Sequence, residues 1–336
     1  MLGHTAWTPT LKNTFLTLCS SDTPAVKRCL ASSLHVVANI LPCEKVENDV
    51  LPLLETMFLR SLDDVTKTNA FKHLSSFLET LTWRKRSELL PVLTDIILAT
   101  PGSSQLQLNW RLRYVVAKQL PRLLRLFDPT DVRRYVTKII FTFLGDNVAV
   151  VRDETFAGIP ILFAVIKGQE FEREGCTDIV TFLKTNMMTD FSSRMGYCRI
   201  CAEMGQAINN LSSSSSQKDC QLKVYLEARL TEMLPIALNM KDDRVTNVRA
   251  NLRKCLISME GYLNNSSSSS TVSVMIRNVM RELEEEAITW EFTGGWEKDP
   301  FKNANVNNRH NDELTGAIFG KTGSRDEEGD ESGSLA

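Results

Sequence analysis

Three stretches of this sequence carry nearly the same phrase: DTPAVKRCLASSL at Asp22 to Leu34, GDNVAVVRDETFAGI at Gly145 to Ile159, and DDRVTNVRANLRKCL at Asp242 to Leu256. Each reads as an aspartate-led turn running into a helix. A chain made of repeats folds as one array in which each unit packs on its neighbours, so the period decides the fold before any single motif does. A basic residue followed seven places later by an apolar one occurs at Lys27, Lys67, Arg113, Arg152, Arg194 and Arg249, with steps of 40, 46, 39, 42 and 55. The two long steps contain insertions, TPGSSQLQ (Thr100 to Gln107) and LSSSSSQK (Leu211 to Lys218).

Without the insertions the period is about 40 residues, the length of the two-helix repeat in HEAT and armadillo arrays. Aspartates at Asp22, Asp64, Asp146, Asp190 and Asp243 precede five of the six basic residues. A carboxylate there can accept from the free N–H groups that open a helix, so each aspartate marks the start of the second helix of a pair. The helix before each turn has its own mark, a proline inside an apolar run: DVLPLLETMF at Asp49, ELLPVLTDII at Glu88 and EMLPIALNM at Glu232. Proline within a helix removes an N–H donor and bends the chain, which predicts a recurrent bend in the first helices. The expected fold is an all-α HEAT-repeat solenoid with a disordered acidic C-terminal tail. Six helix pairs lie between about Thr10 and Tyr262, followed by one more helix near Thr271 to Trp290. The expected domains are residues 1–290 as solenoid and 291–336 as tail, the latter rich in Gly, Asn, Asp and Glu.

Charge and cysteine usage narrow the function classes. The formal net charge is -2, and Trp296 to Ala336 hold nine acidic and five basic side chains, leaving a body of about +2. A nucleic-acid binder is expected to carry a basic domain, so no nucleic-acid partner is expected. No apolar run has the roughly 18 residues of a spanning helix and the N-terminus lacks a signal pattern, which predicts no membrane partner. Eight cysteines in 336 residues, mostly inside apolar helical patterns (Cys29, Cys198, Cys201, Cys255), suit a reducing compartment. The expected location is cytoplasmic, with the nucleus open as a second compartment.

The phrases DTPAVKRCLASSL, LNWRLRYVVAKQLPRLL, GDNVAVVRDETFAGI, SSRMGY and DDRVTNVRANLRKCL resemble the HEAT repeats of the scaffold regulatory subunit of protein phosphatase 2A and of its relatives in phosphatase 4. The resemblance covers about Thr10 to Trp290. It implies a non-enzymatic protein that presents the turns between paired helices as a ridge for a phosphatase catalytic subunit, a variable regulatory subunit, or both. Carried over by motif, the ridge residues are Asp22, Thr23, Asn109, Trp110, Arg111, Asp146, Asn147, Ser193, Arg194, Thr246 and Asn247. No cofactor is implied.

Other chemistries find less support in the residues. Cys198-Arg-Ile-Cys201 has C-x-x-C spacing, yet a structural zinc site needs four ligands and no second pair stands nearby. Cys201 also falls on the apolar register of the repeat, which places it in the core. Gly320-Lys-Thr lacks the correctly spaced upstream glycine of a phosphate loop, and the four histidines have no nucleophile or carboxylate at a catalytic spacing. The repeated basic residues are expected to pair with aspartates of adjacent repeats. Two other functional readings stay open: a HEAT-repeat adaptor for transport or complex assembly, and a HEAT-like DNA glycosylase using Trp83-Arg84-Lys85-Arg86 or Trp110-Arg111 with Arg113.

Overall fold

In the computed structural model the described residues are 7–98, 110–167, 172–212, 216–261 and 271–292. Their regular structure is entirely helical. The first helices of successive pairs are α1 (Pro9–Cys19), α3 (43–59), α6 (Trp83–Leu98), α8 (129–144), α11 (Glu172–Asn186) and α13 (Gln217–Leu238). The second helices are α2 (Pro24–Ile40), α4 with α5 (Asp64–Phe71, Leu74–Glu79), α7 (Trp110–Leu126), α9 with α10 (Ala149–Phe156, Ile159–Ile166), α12 (Phe191–Leu211) and α14 (Thr246–Ser258). Helix α15 (Thr271–Phe292) follows. Met1–Leu283 form one compact unit, an all-α solenoid; in the second unit, Glu284–Ala336, the described residues are the last turns of α15.

The repeat register read from the sequence is a packing register. The six apolar positions, Leu34, Leu74, Leu120, Ile159, Cys201 and Leu256, are all buried, none more than 3% exposed. Each lies seven residues, two helical turns, after its basic residue, so the basic residue sits at the start of the second helix and the apolar one in its middle. Side chains from both helices of a pair then meet the next pair in one continuous apolar core. Truncating Leu120, at 0% exposure, would cost about 2 to 5 kcal/mol by transfer and cavity terms.

Two second helices are broken, α4/α5 at Lys72–His73 and α9/α10 at Ala157–Gly158. A break frees backbone groups that must find other partners. At the first, Gln119 of the next repeat supplies them: its Nε2 donates to Phe71 O at 2.7 Å and its Oε1 accepts from Ser75 N at 2.9 Å. Similar amide pins join other repeats, with Asn69 Nδ2 donating to Arg28 O (3.1 Å) and Asn251 Nδ2 to Met195 O (3.0 Å). Gly196 permits a close approach of α9 to α12, since a Cβ there would lie 2.8 Å from the Phe156 ring and 2.9 Å from Met187 Cε.

The marker prolines lie inside first helices, Pro91 in α6 and Pro235 in α13. Pro52 is flanked by two π-helical segments, Val46–Val50 and Leu54–Leu59, whose wider i to i+5 bonding accommodates the missing donor. The aspartates act less uniformly than expected. Asp190 caps α12 by accepting from Ser193 N, but α4 is capped by Asp63 rather than Asp64, accepting from Thr66 N. Asp146 and Asp243 accept from Val148 N and Val245 N, two residues on and just before their helices, each at 2.8 Å. Asp22 makes no cap: Thr23 holds the N-cap place of α2 without a side-chain bond, and Pro24 opens the helix.

Candidate functional site

The turns that open the second helices carry two kinds of side chain. One kind joins repeats, largely buried at Arg113–Asp146 and Arg194–Asp243 and partly exposed at Arg28–Asp63. Arg28 binds Asp63 of the next repeat through Nε (2.9 Å) and Nη2 (3.0 Å), and Arg194 binds Asp243 in the same way (2.6 and 3.2 Å). Arg113 and Asp146 form the equivalent two-pronged pair. Such fork-to-fork pairing fixes direction as well as distance. The carbonyls of Asp146 and Asp243 accept from Arg152 and Arg249 of their own repeats, so each aspartate is held from both sides. Arg152 also donates to Ser192 Oγ at 2.8 Å, one repeat further on.

The expected pairing between adjacent repeats is seen at Arg113 and Arg194; elsewhere it departs from the expectation, since Arg28 takes the role assigned to Lys27, Lys67 contacts Asp64 within its own helix at 3.9 Å, and Arg152 and Arg249 donate to aspartate carbonyls of their own repeats. Hydrogen bonds from Arg28 and Thr66 drive the Asp63 carboxyl far below the usual carboxylate range. Asp243 is also lowered, because the bonds from Arg194 and Val245 outweigh its desolvation.

The other kind of turn residue faces solvent. Asp22, Thr23, Arg111, Asn147 and Asn247 are exposed, whereas Trp110, Ser193, Arg194 and Thr246 are half-buried. Asp146 is 9% exposed and belongs to the inter-repeat pairing just described. Asn109 lies outside the described residues. Arg111 stacks on its neighbour, its guanidinium carbon 4.8 Å from the Trp110 ring centre, with Tyr114 against the same ring at 6.4 Å. This stack holds an aromatic and a planar cation together at the start of α7. Ser193 is tied down by Asp190, which accepts from its N–H at 3.0 Å and its hydroxyl at 2.7 Å.

Apolar side chains at the same turns were missed by the motif reading. Leu62 is fully exposed and Val65 is 49% exposed beside Asp63; Val150 and Phe191 are exposed at the fourth and fifth turns. Their signal was present in the register, since Val65 and Val150 each stand two residues before a repeated basic residue. A row of exposed apolar and polar groups on turns braced by ion pairs between repeats suits docking of another protein.

Elsewhere the candidate chemistries resolve into packing. Cys198, Cys201 and Cys255 are buried, Cys198 Sγ lies 3.4 Å from Met240 Sδ, and burial pushes all three thiols up, Cys255 to about 12. Among the described residues no group of three or more His, Cys, Asp or Glu could hold a metal ion. Nor is any described helix long and apolar enough to cross a membrane. His35 and His73 stack across the first two repeats, ring centres 4.1 Å apart. Gly320-Lys-Thr and the other two histidines lie outside the described residues.

No protein-family model matches the chain. Among curated proteins it is similar to serine/threonine-protein phosphatase 4 regulatory subunit 1 of Homo sapiens, 30% identical over 257 residues that make up 76% of this chain and 25% of the relative. The Mus musculus and Rattus norvegicus proteins of the same name are each 29% identical over 272 residues, 79% of this chain and 26% of theirs. The chain thus spans about a quarter of the length of the curated relatives it matches. Of the two phosphatase scaffolds that its repeat phrases resemble, these relatives carry the phosphatase 4 name.

Proposed function

We propose that this chain is a HEAT-repeat docking segment of a phosphatase regulatory subunit, holding the catalytic subunit of a phosphatase-4-type enzyme on the turns that open its second helices. The single observation that carries this reading is the division of labour at those turns. Arg28–Asp63, Arg113–Asp146 and Arg194–Asp243 brace the turns from one repeat to the next, while Trp110, Arg111, Asn147, Phe191 and Asn247 are presented at their tips. In this reading Asp22, Thr23, Asn109 and Thr246 add polar contacts, whereas Asp146, Ser193 and Arg194 keep their turns in shape. The chain itself is not an enzyme: the relatives are named as regulatory subunits, and the metal-dependent chemistry belongs to the bound partner. A variable regulatory subunit would occupy other turns of the same row.

The test is binding of the phosphatase 4 catalytic subunit to the full chain and to a Trp110→Ala/Arg111→Ala variant. An aromatic anchor with a charged donor contributes about 2 to 4 kcal/mol at an interface centre, so affinity should fall at least about tenfold. Circular dichroism on the same samples should be unchanged, because the apolar core beneath the turn does not include either side chain. Wild-type affinity in a folded variant removes α7 from the docking surface.

A further inference from the structure

Helix α7 differs from every other second helix in what it shows to solvent. Its exposed residues are Arg111, Lys118, Arg122 and Arg125, all cations, and the helix contains no Asp or Glu. By contrast the exposed residues of α2 include no charge, and those of α9 include one acid, Asp153. Spacings of 7, 4 and 3 residues put the four cations on one face, a stripe about 21 Å long at 1.5 Å per residue. Like charges at i, i+4 and i, i+3 destabilise a helix, and an ordinary solvated face avoids this by mixing signs. Among the described residues the stripe makes one ion pair. Glu79 of the preceding repeat accepts from Arg122 Nη2 with both oxygens, each at 2.8 Å. On the other flank Asp153 is engaged with Arg199 at 3.2 Å. Lys72, exposed at the break between α4 and α5, stands at the register position of Lys118 one repeat earlier and extends the same positive sign sideways.

We propose that the exposed face of α7 is a second docking surface, for an extended acidic peptide segment of a protein partner, running along the helix away from its opening turn and sharing Arg111 with that turn. Geometry and charge choose the occupant together. Side chains on one face of an extended chain recur about every 7 Å, close to the rise of about 6 Å between Lys118 and Arg122, and long flexible side chains close the difference. Six or seven extended residues, with acids at alternate positions, would run the length of the stripe. A nucleic acid needs a wider positive field than one helix supplies, and the body as a whole carries only about +2. The surface stands whether or not the turns bind a phosphatase.

The experiment is fluorescence anisotropy of the whole chain with a labelled peptide of about nine residues in which glutamate alternates with serine. Its Glu→Gln counterpart and a single-stranded oligonucleotide of equal charge serve as comparisons. The wild-type chain should bind the glutamate peptide, bind the glutamine peptide too weakly to measure, and lose affinity at roughly 0.3 M salt. Lys118→Glu with Arg125→Glu, which leaves Trp110 and Arg111 in place, should weaken the glutamate peptide by about tenfold or more. If circular dichroism shows that this variant fails to fold, Lys118→Gln with Arg125→Gln is measured in its place. The proposal falls if the wild-type chain does not bind the glutamate peptide, or if the folded variant binds it as tightly as wild type. It falls equally if the oligonucleotide binds more tightly than the peptide, which would make the stripe a nucleic-acid contact.

Discussion

Asp146→Ala should be among the most damaging single substitutions that leave the apolar core untouched. The Asp146 carboxylate is 5% exposed and is gripped by Arg113, itself 18% exposed. It also accepts from Val148 N at 2.8 Å at the entry to α9. Removing one partner of a buried pair costs about 3 to 5 kcal/mol, because the other charge is left without compensation. Arg113 retains some access to water, which lowers that figure, while the lost bond to Val148 adds about 1 kcal/mol. A net loss of about 3 kcal/mol lowers the melting temperature by about 5 °C in a unit of this size, at roughly 2.1 cal/mol/K of unfolding entropy per residue. The internal control is Glu79→Gln, which weakens another carboxylate–guanidinium contact between adjacent repeats, with Arg122, where the side chains are 44% and 52% exposed. That pair contributes at most about 1 kcal/mol. Calorimetry of both variants, and of Arg113→Met alone and with Asp146→Ala, completes the comparison. The double variant should be less destabilised than the sum of the singles, since no unpaired charge remains. Equal melting temperatures for Asp146→Ala and Glu79→Gln would show that burial of the pair does not determine its strength.

Three further outcomes follow from titratable groups. Burial, with His35 and Lys72 close by, lowers the pKa of His73, so the folded state resists its protonation. Stability should therefore fall as pH drops below about 6.5, the ordinary histidine value, and His73→Asn should flatten that decline in melts at neutral and mildly acidic pH. Asp63 has the opposite chemistry and the same direction: its depressed carboxyl stabilises the fold above the ordinary aspartate value and stops doing so as pH falls through the folded value. Asp63→Asn should make the acid limb of the stability curve shallower. Alkylation of the native protein read by mass spectrometry should label Cys29 and Cys220, which are exposed, and spare Cys19, Cys198, Cys201 and Cys255. Labelling of Cys198 at the rate of Cys29 would contradict the packed interface between α12 and α14.

The repeat and its apolar register were legible because they arise from helical spacing. Leu34 and Leu256 stand in the same place relative to Lys27 and Arg249 whatever their neighbours do, and both are buried. What escaped the sequence was any feature requiring knowledge of which repeat touches which. Nothing local distinguishes Arg28 from Lys27 as the partner of Asp63; the choice depends on how α2 is rotated against α4. Gln119 reads as an ordinary surface glutamine until the break after Phe71 exposes the backbone groups it satisfies. At the turns Trp110 and Arg111 were picked out through the family resemblance of the phrase that contains them. The motif reading missed Leu62 and Val65 because an exposed leucine or valine looks like core in a one-dimensional pattern. The positive stripe of α7 was visible only in part, since Arg111, Lys118, Arg122 and Arg125 become a single-sign face once burial removes the apolar residues between them.

The central claim is that the turns opening the second helices form the docking surface, and hydrogen exchange tests it most directly. The chain should be compared alone and saturated with a phosphatase 4 catalytic subunit. The account predicts added protection at several of the turns near Asp22, Asp63, Trp110, Asn147, Phe191 and Asn247, with the interior of the helices unchanged. Protection confined to the opposite turns, such as that before Trp83, or no change at saturating catalytic subunit, would contradict it.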